Sequence, residues 1–210
     1  GGALFSSATL LLRRKFSTRE FWSDVHAWRA TVFLYIGELC RYLLNAPVQP
    51  MERGHCMRVA VGNGLRETLW VPFQQRFGVP LVREFYGSTE GNVALLNVEG
   101  RPGYVGRLRA GMAVVACDPD TSEPLRDAAG RCRRVATGET GLIIGLINPL
   151  MRFDGYLDKK ATSSKILADV FIRGDRWFNT GDLVRVDNDD WVAFADRAGD
   201  NYRWKGENIS

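Results

Sequence analysis

Three short segments of this chain place small and polar residues where an apolar, strand-like run has just ended. In layered α/β proteins ligands bind beyond the carboxyl ends of strands, where loops converge. Gly62-Asn63-Gly64-Leu65-Arg66 carries two glycines that let the backbone approach a flat ring or a phosphate; a tight turn asks for the same glycines. Glu84-Phe85-Tyr86-Gly87-Ser88-Thr89-Glu90-Gly91-Asn92 ends a strand in an aromatic, a glycine, two hydroxyls and a carboxylate. Such a set can stack on a base, donate to phosphate oxygens and hold Mg²⁺ through Glu90, because magnesium takes one or two carboxylates completed by substrate phosphates. As bare structure it would be a polar turn with a helix cap. Phe178-Asn179-Thr180-Gly181-Asp182 puts an acid just past a glycine turn, where it can accept both hydroxyls of a ribose; a TGD turn alone is common.

The elements that must position these segments are legible around them. Ser17-Thr18-Arg19-Glu20 has the form of a capping box, and Phe16 and Phe21 stand where a hydrophobic staple would close. Phe21, Trp22, Val25 and Trp28 then share one helical face, and Thr31 to Ile36 is an apolar, β-branched run that predicts a strand. Gly37 breaks it, and Leu39, Tyr42 and Leu43 continue as a helix to Asn45-Ala46-Pro47. The unit repeats: strand Met57–Val61, turn 62–64, helix Arg66–Phe77 with Pro72 weakening its early part, then strand Leu81–Phe85. Alternation of this kind predicts an α/β layered fold with a largely parallel sheet. After about residue 100 Gly and Pro are frequent and apolar runs short, which predicts a β-rich subdomain with one helix, roughly Asp158–Leu167. Asp187 to Asp190 reads as a hairpin turn, and its acids lack the glycine and distal glutamate of an EF-hand.

The chain has 210 residues, 45% hydrophobic and 25% charged, so it can bury a core and is not a disordered tail. No run approaches the ~18–20 apolar residues of a membrane helix. The 28 basic residues, 23 Arg and 5 Lys, are scattered rather than gathered on one face, which argues against a nucleic-acid partner. The four cysteines have no CxxC spacing, and the two histidines do not stand at zinc spacing from them, which argues against a structural zinc site; unpatterned cysteines suit a reducing compartment.

Order and spacing together say more than any one segment. GNGLR at 62–66, FYGSTEGN at 85–92, RFDGY at 152–156, FNTGD at 178–182 and DRAGDNYRWKGENIS at 196–210 resemble the adenylate-forming enzymes. More narrowly they resemble the fatty acid transport protein / very-long-chain acyl-CoA synthetase family, whose own wording YIGELCRYLLN at 35–45 and the RWKGEN ending echo. The resemblance runs from about Lys15 to Ser210.

It implies a fold and a reaction. Residues 1–195 would be the C-terminal part of a large AMP-binding domain, βα units plus a β-rich subdomain. Residues 196–210 would be the hinge and start of a small C-terminal domain. A fatty acid carboxylate would attack the α-phosphate of ATP to give an acyl-adenylate and pyrophosphate, and the thiol of coenzyme A would then displace AMP. Positioning and charge neutralisation dominate such chemistry. By resemblance, Gly62, Asn63 and Gly64 would line the adenine, with Tyr86 stacked near it and Gly87 alongside. Thr89 would touch phosphate oxygens, Glu90 would hold Mg²⁺, Asp182 would bind the ribose and Arg197 would assist the nucleotide. Asp196 matches a domain hinge, eased by Gly199. Gly206 and Glu207 would belong to the loop of the thioester-forming step. Tyr35, Ile36, Leu39 and Tyr42 would wall the acyl tunnel, or pack as ordinary core.

The family's phosphate loop and adenylation lysine match nothing here, so the chain reads as an internal piece, cut between the two and inactive alone. Long- or very-long-chain acids are the expected substrates, linked to uptake by trapping as acyl-CoA. Uptake that does not depend on ligation, a bulkier carboxylate such as a bile acid, and a truncated, nonfunctional product are the alternatives. Membrane association, at the endoplasmic reticulum, plasma membrane or peroxisome with the catalytic domain facing the cytosol, would come from segments outside this chain.

Overall fold

The computed structural model describes residues 5–90, 92–197, 202–204 and 207–209. The first half is a βα layer. Helix α1 (Phe21–Ala27) leads to β1 (Val32–Ile36), and α2 (Gly37–Asn45) starts with no intervening loop. Strand β2 (Val59–Asn63), α3 (Glu67–Phe77), β3 (Leu81–Gly87) and β4 (Ala94–Asn97) follow. The sheet order is β1-β2-β3-β4, parallel across the first three strands and antiparallel at β4. Trp22, Leu43, Trp70, Phe73, Phe77 and Val82 form its core, the helical residues among them recurring at the three- and four-residue spacings that put side chains on one face. Helix α3 runs through Pro72 and stops at Gly78, whose φ of 67° is the left-handed cap that glycine supplies.

The staple forms, with the Phe16 and Phe21 rings 5.8 Å apart. The capping box does not. Glu20 already has helical backbone angles and occupies the cap position, so Ser17 stands too early to cap with its side chain. Ser17 offers its carbonyl to the Phe21 amide instead, and the Glu20 carboxylate pairs with Arg13.

The second half is β-rich. Strands β5 (Gly106–Arg107), β6 (Met112–Val115), β7 (Thr140–Leu146), β8 (Ile166–Ala168), β9 (Arg176–Val186) and β10 (Trp191–Arg197) build an antiparallel sheet ordered β5-β10-β9-β7-β6, with β8 also on β9. The helix expected over Asp158–Leu167 is shorter: α4 covers Lys159–Ser164, capped by Asp158 Oδ1 accepting the Lys160 amide at 2.8 Å. Ile166 and Leu167 leave it to pair with Phe178 and Trp177, because an apolar pair satisfies its backbone better on a sheet edge than at a fraying helix end. The Asp187–Asp190 connection is a single 3₁₀ turn with Asp189 and Asp190 at positive φ. Tyr202–Trp204 and Glu207–Ile209 pair as an antiparallel hairpin, β11 and β12. The boundary expected at 195/196 falls inside β10, whose backbone continues to Arg197.

Candidate functional site

The site is organised by β3. Successive side chains of a strand point to opposite faces, so Glu84 and Tyr86 share one. Glu84 is 4% exposed. Its Oε1 accepts the Tyr35 hydroxyl at 2.6 Å and the Leu65 amide at 3.1 Å, and its Oε2 accepts the Gly64 amide at 2.9 Å. Burial pushes its carboxyl up to about 7 against the pull of those three hydrogen bonds. The turn expected at 62–64 is not one: Gly62 and Asn63 end β2 in register with Tyr35 and Ile36, because parallel pairing on both sides carries the strand past Val61, and the Gly64–Leu65 backbone beyond is bonded to β3 through Glu84. The two glycines have local reasons. A Cβ at Gly62 would lie 2.1 Å from the Tyr35 carbonyl oxygen, and Gly64 has φ +76°. Asn63 between them is exposed.

Two residues along β3, the Tyr86 hydroxyl donates to Asp182 Oδ2 at 2.6 Å, while its ring lies 6.4 Å from that of Phe194. Asp182 does not follow a turn, as the FNTGD reading expected. It lies within the eleven-residue strand β9, at a bulge. Leu142 faces Leu183 and Ile144 faces Asn179, so three residues of β9 oppose one of β7. Gly181 takes φ +78° there. The polar side chains close the bulge from within: Asn179 Oδ1 accepts the Gly181 amide at 2.9 Å, and Thr180 Oγ1 accepts the Asp182 amide and donates to the Ile143 carbonyl. A second register shift, between Phe194 and Asp196, sets Arg197 opposite Asp182 and Asp196 opposite Leu183.

Beyond β3, Thr89 Oγ1 donates to Glu90 Oε2 at 3.1 Å and Tyr156 Oη donates to Glu90 Oε1. Burial would raise the Glu90 carboxyl; the Tyr156 bond, its own backbone amide, Thr89 and the Lys165 ammonium outweigh it and hold the group below the usual glutamate range. Lys165 also stands at the bulge, its Nζ 3.1 Å from where a Cβ on Gly181 would be. Ser88 Oγ and Asn92 Oδ1 are buried with no hydrogen-bond partner among the described residues. No group of three or more His, Cys, Asp or Glu among the described residues could hold a metal by itself. A cation here would be held by Glu90 and hydroxyl oxygens and completed by its ligand.

Hydrogen bonds from β3 and the loop after it therefore reach three other motif segments: Glu84, just before FYGSTEGN, to Gly64 and Leu65, Tyr86 to Asp182, and Glu90 to Tyr156. Gly87 ends β3, exposed. Gly199 and Gly206 lie outside the described residues, as do the side chains of Arg197 and Glu207; the Glu207 backbone belongs to β12. Tyr35 is buried in the first core, Ile36 is 46% exposed, and Leu39 and Tyr42 are half-buried on α2. Leu39 also lines an apolar groove of about 830 Å³ between the 6–17 strap, α1 and β1, which none of the nucleotide candidates borders. Glu84, Tyr156 and Lys165 were not singled out from sequence. The signal for Glu84 was available, as an acid inside an apolar parallel strand; Tyr156 stood unassigned in RFDGY, and nothing marked Lys165.

A parallel βα layer joined to an antiparallel sheet, with an acid and hydroxyl cluster at the seam, is the architecture of adenylate-forming proteins. The chain belongs to the AMP-binding enzyme family, whose sequence model matches residues 1–143. It is 50% identical over 205 residues to the medium/long-chain-fatty-acid–CoA ligase FadD6 of Mycobacterium tuberculosis, covering 98% of this chain and 34% of that protein. It is 45% identical over 219 residues to the long-chain fatty acid transport protein 1 of Mus musculus, covering 100% of this chain and 34% of that protein. The chain thus spans about a third of the length of these curated relatives. Among solved structures, ATP-bound MatB from Rhodopseudomonas palustris aligns with a TM-score of 0.70 at 25% identity, over 99% of this chain and 38% of that one. A benzoate CoA ligase from Burkholderia xenovorans LB400 shares the fold, with a TM-score of 0.67 at 21% identity over 93% of this chain and 37% of that one.

Proposed function

We propose that this chain is the latter part of the adenylate-binding domain of an ATP-dependent ligase that joins long- or very-long-chain fatty acids to coenzyme A. The observation that carries the reading is the Tyr86–Asp182 hydrogen bond, which draws two motif segments 96 residues apart onto one site. The relatives named as a fatty-acid–CoA ligase and as a fatty acid transport protein support the substrate class and the link to uptake.

In this reading Gly62, Asn63 and Gly64 line the adenine beside Tyr86 and Gly87, Asp182 takes the ribose hydroxyls, and Arg197 assists the nucleotide. An oxygen of the fatty acid carboxylate attacks the α-phosphorus of ATP, and the bond to the departing pyrophosphate breaks. The sulfur of coenzyme A then attacks the acyl carbonyl and AMP leaves with the bonding pair, giving the thioester. Thr89 donates to phosphate oxygens as negative charge shifts toward the leaving group. Glu90, held ionised, with Thr89 beside it, suits the hard oxygen ligation of Mg²⁺, which neutralises phosphate charge when bound. Asp196 is the hinge about which a small domain turns between the two steps, and Gly206 and Glu207 approach the site in the second. Ile36 and Leu39 wall the acyl chain, while Tyr35 lends its ring to the packing beneath them.

No helix among the described residues is long and apolar enough to cross a membrane. The reading takes membrane association, with this domain on the cytosolic side, to come from segments outside the chain, which the relatives named as fatty acid transport proteins support. The test is acyl-CoA synthesis by the full-length protein with acids of increasing chain length. ATP-dependent thioester formation that is highest with long or very long chains supports the proposal. Turnover only of bulky ring carboxylates would redirect the substrate class, and no turnover with any acid would defeat it.

A further inference from the structure

Glu84 is a buried carboxylate that the proposed reaction does not use. No cation lies within ion-pair distance of it among the described residues. Burying an acid in this way is costly, and a neutral side chain would serve packing better. All three of its hydrogen bonds converge on one loop and on the residue beneath that loop. Gly62 and Asn63 are held as the end of β2, paired with Tyr35 and Ile36 of β1, but the Gly64–Arg66 connection beyond them belongs to no strand or helix, and Gly64 has no side chain. It is also pressed from the other side, since a Cβ on Gly37 would stand 1.8 Å from the Gly64 carbonyl oxygen. Tyr35, the third partner, reaches the Arg83 carbonyl at 3.2 Å as well, so its hydroxyl is fixed between two groups of β3.

We propose that Glu84 is the positioning residue of the base-binding segment: by accepting the Gly64 and Leu65 amides and the Tyr35 hydroxyl it fixes the backbone where the chain leaves β2 at Gly64, so that Gly62–Gly64 keeps the conformation that receives the nucleotide base. The inference rests on the reading of Gly62–Gly64 as the adenine-lining segment. A carboxylate suits this task because its two acceptor oxygens offer about four lone-pair sites, enough for three donors, whereas a Gln has one acceptor oxygen. One strand then sets both ends of the nucleoside. Glu84 holds the base loop, and Tyr86, on the same face of β3, holds the ribose acid.

The test compares Glu84→Ala, Glu84→Gln and Tyr35→Phe in the full-length protein. ATP is varied at saturating acid and coenzyme A, ATP binding is measured by calorimetry, and melting temperature is recorded. Glu84→Ala is expected to raise the KM and Kd for ATP roughly tenfold, the effect of leaving one or two buried amides unpaired, with a smaller change in kcat. Its preference for ATP over GTP should fall. Glu84→Gln, which keeps one acceptor oxygen of the two, should recover only part of the loss, and Tyr35→Phe should raise KM about threefold, as loss of one hydrogen bond does. If Glu84→Ala does not fold, Tyr35→Phe carries the comparison. Unchanged KM and Kd in folded variants, with loss confined to kcat or melting temperature, would overturn the positioning role. A wild-type protein that binds ATP but makes no acyl-CoA defeats the ligase reading and leaves the Glu84 comparison standing in the calorimeter. One that does not bind ATP overturns both.

Discussion

The Tyr86 hydroxyl and Asp182 Oδ2 meet at 2.6 Å across the seam between the βα layer and the antiparallel sheet. The contact exists because a bulge at Gly181 places Asp182, otherwise one residue in a regular strand, against β3. Removing the hydroxyl should loosen the acid without unfolding either sheet. Tyr86→Phe in the full-length protein is expected to raise the KM for ATP by about threefold to tenfold, the worth of one ordinary side-chain hydrogen bond. Asp182→Ala should weaken ATP further. Steady-state kinetics with ATP varied decides the point, and equal KM values in both variants and wild type would remove Asp182 from the nucleotide site.

Glu90 is held below the usual carboxyl range in part by the Tyr156 hydroxyl. Tyr156→Phe removes a bond that favours the ionised form, so the Glu90 carboxyl moves upward and is protonated at a higher pH. The acid limb of the adenylation rate should therefore shift to higher pH in Tyr156→Phe, with more Mg²⁺ needed for half-maximal rate below neutrality. Glu90→Ala should reduce adenylation severely, about a hundredfold or more if the carboxylate holds the cation at the phosphates. A pH–rate profile of pyrophosphate exchange at several Mg²⁺ concentrations reads both effects.

Glu84 gives the opposite sign. Its folded carboxyl sits at about 7, above the ordinary value of 4.5. The folded protein keeps that proton where the unfolded chain has lost it, so the group favours folding below about pH 4.5 and that contribution fades as pH rises to about 7. The loss across the window is on the order of 3 kcal/mol. Wild type should therefore lose stability relative to Glu84→Gln over this range, and the two curves should run parallel above it. Urea unfolding of both proteins at a series of pH values measures the difference directly.

Gly62 faces the Tyr35 ring and backbone. A Cβ there would lie 2.1 Å from the Tyr35 carbonyl oxygen and 2.5 Å from its ring, and both are fixed by the β1–β2 pairing. Gly62→Ala must part these strands, and is expected to cost about 3 kcal/mol or more, against about 1 for an average point substitution. Thermal melting would show it. A melting temperature within a degree or two of wild type would mean that the strand pair yields easily.

Much of the arrangement was legible from local pattern. The runs Thr31–Ile36, Met57–Val61 and Leu81–Phe85 became parallel strands because β-branched and apolar residues in short runs, separated by amphipathic helices, have one good way to be buried. The five motif segments were legible as a set, and the family resemblance rests on them. Local pattern misled where a longer-range partner won. Ser17 bonds the first helical amide with its carbonyl rather than capping with its hydroxyl, and Ile166-Leu167 preferred the edge of β9 to a final helical turn.

The sequence by itself determined which side chains are available: an acid in FNTGD, a carboxylate and hydroxyls in FYGSTEGN, and two glycines flanking Asn63. Only the tertiary structure decided what each one meets. Asp182 looked like a turn residue and is the product of a bulge, which requires β7 on one side and β10 on the other. Glu84 looked like one charge in a strand and is the hub of the loop beside it, because parallel pairing with β2 sets that loop directly over its carboxylate. A hydrogen bond between residues far apart in the chain depends on sheet register and strand twist, and neither is encoded within a window short enough to read.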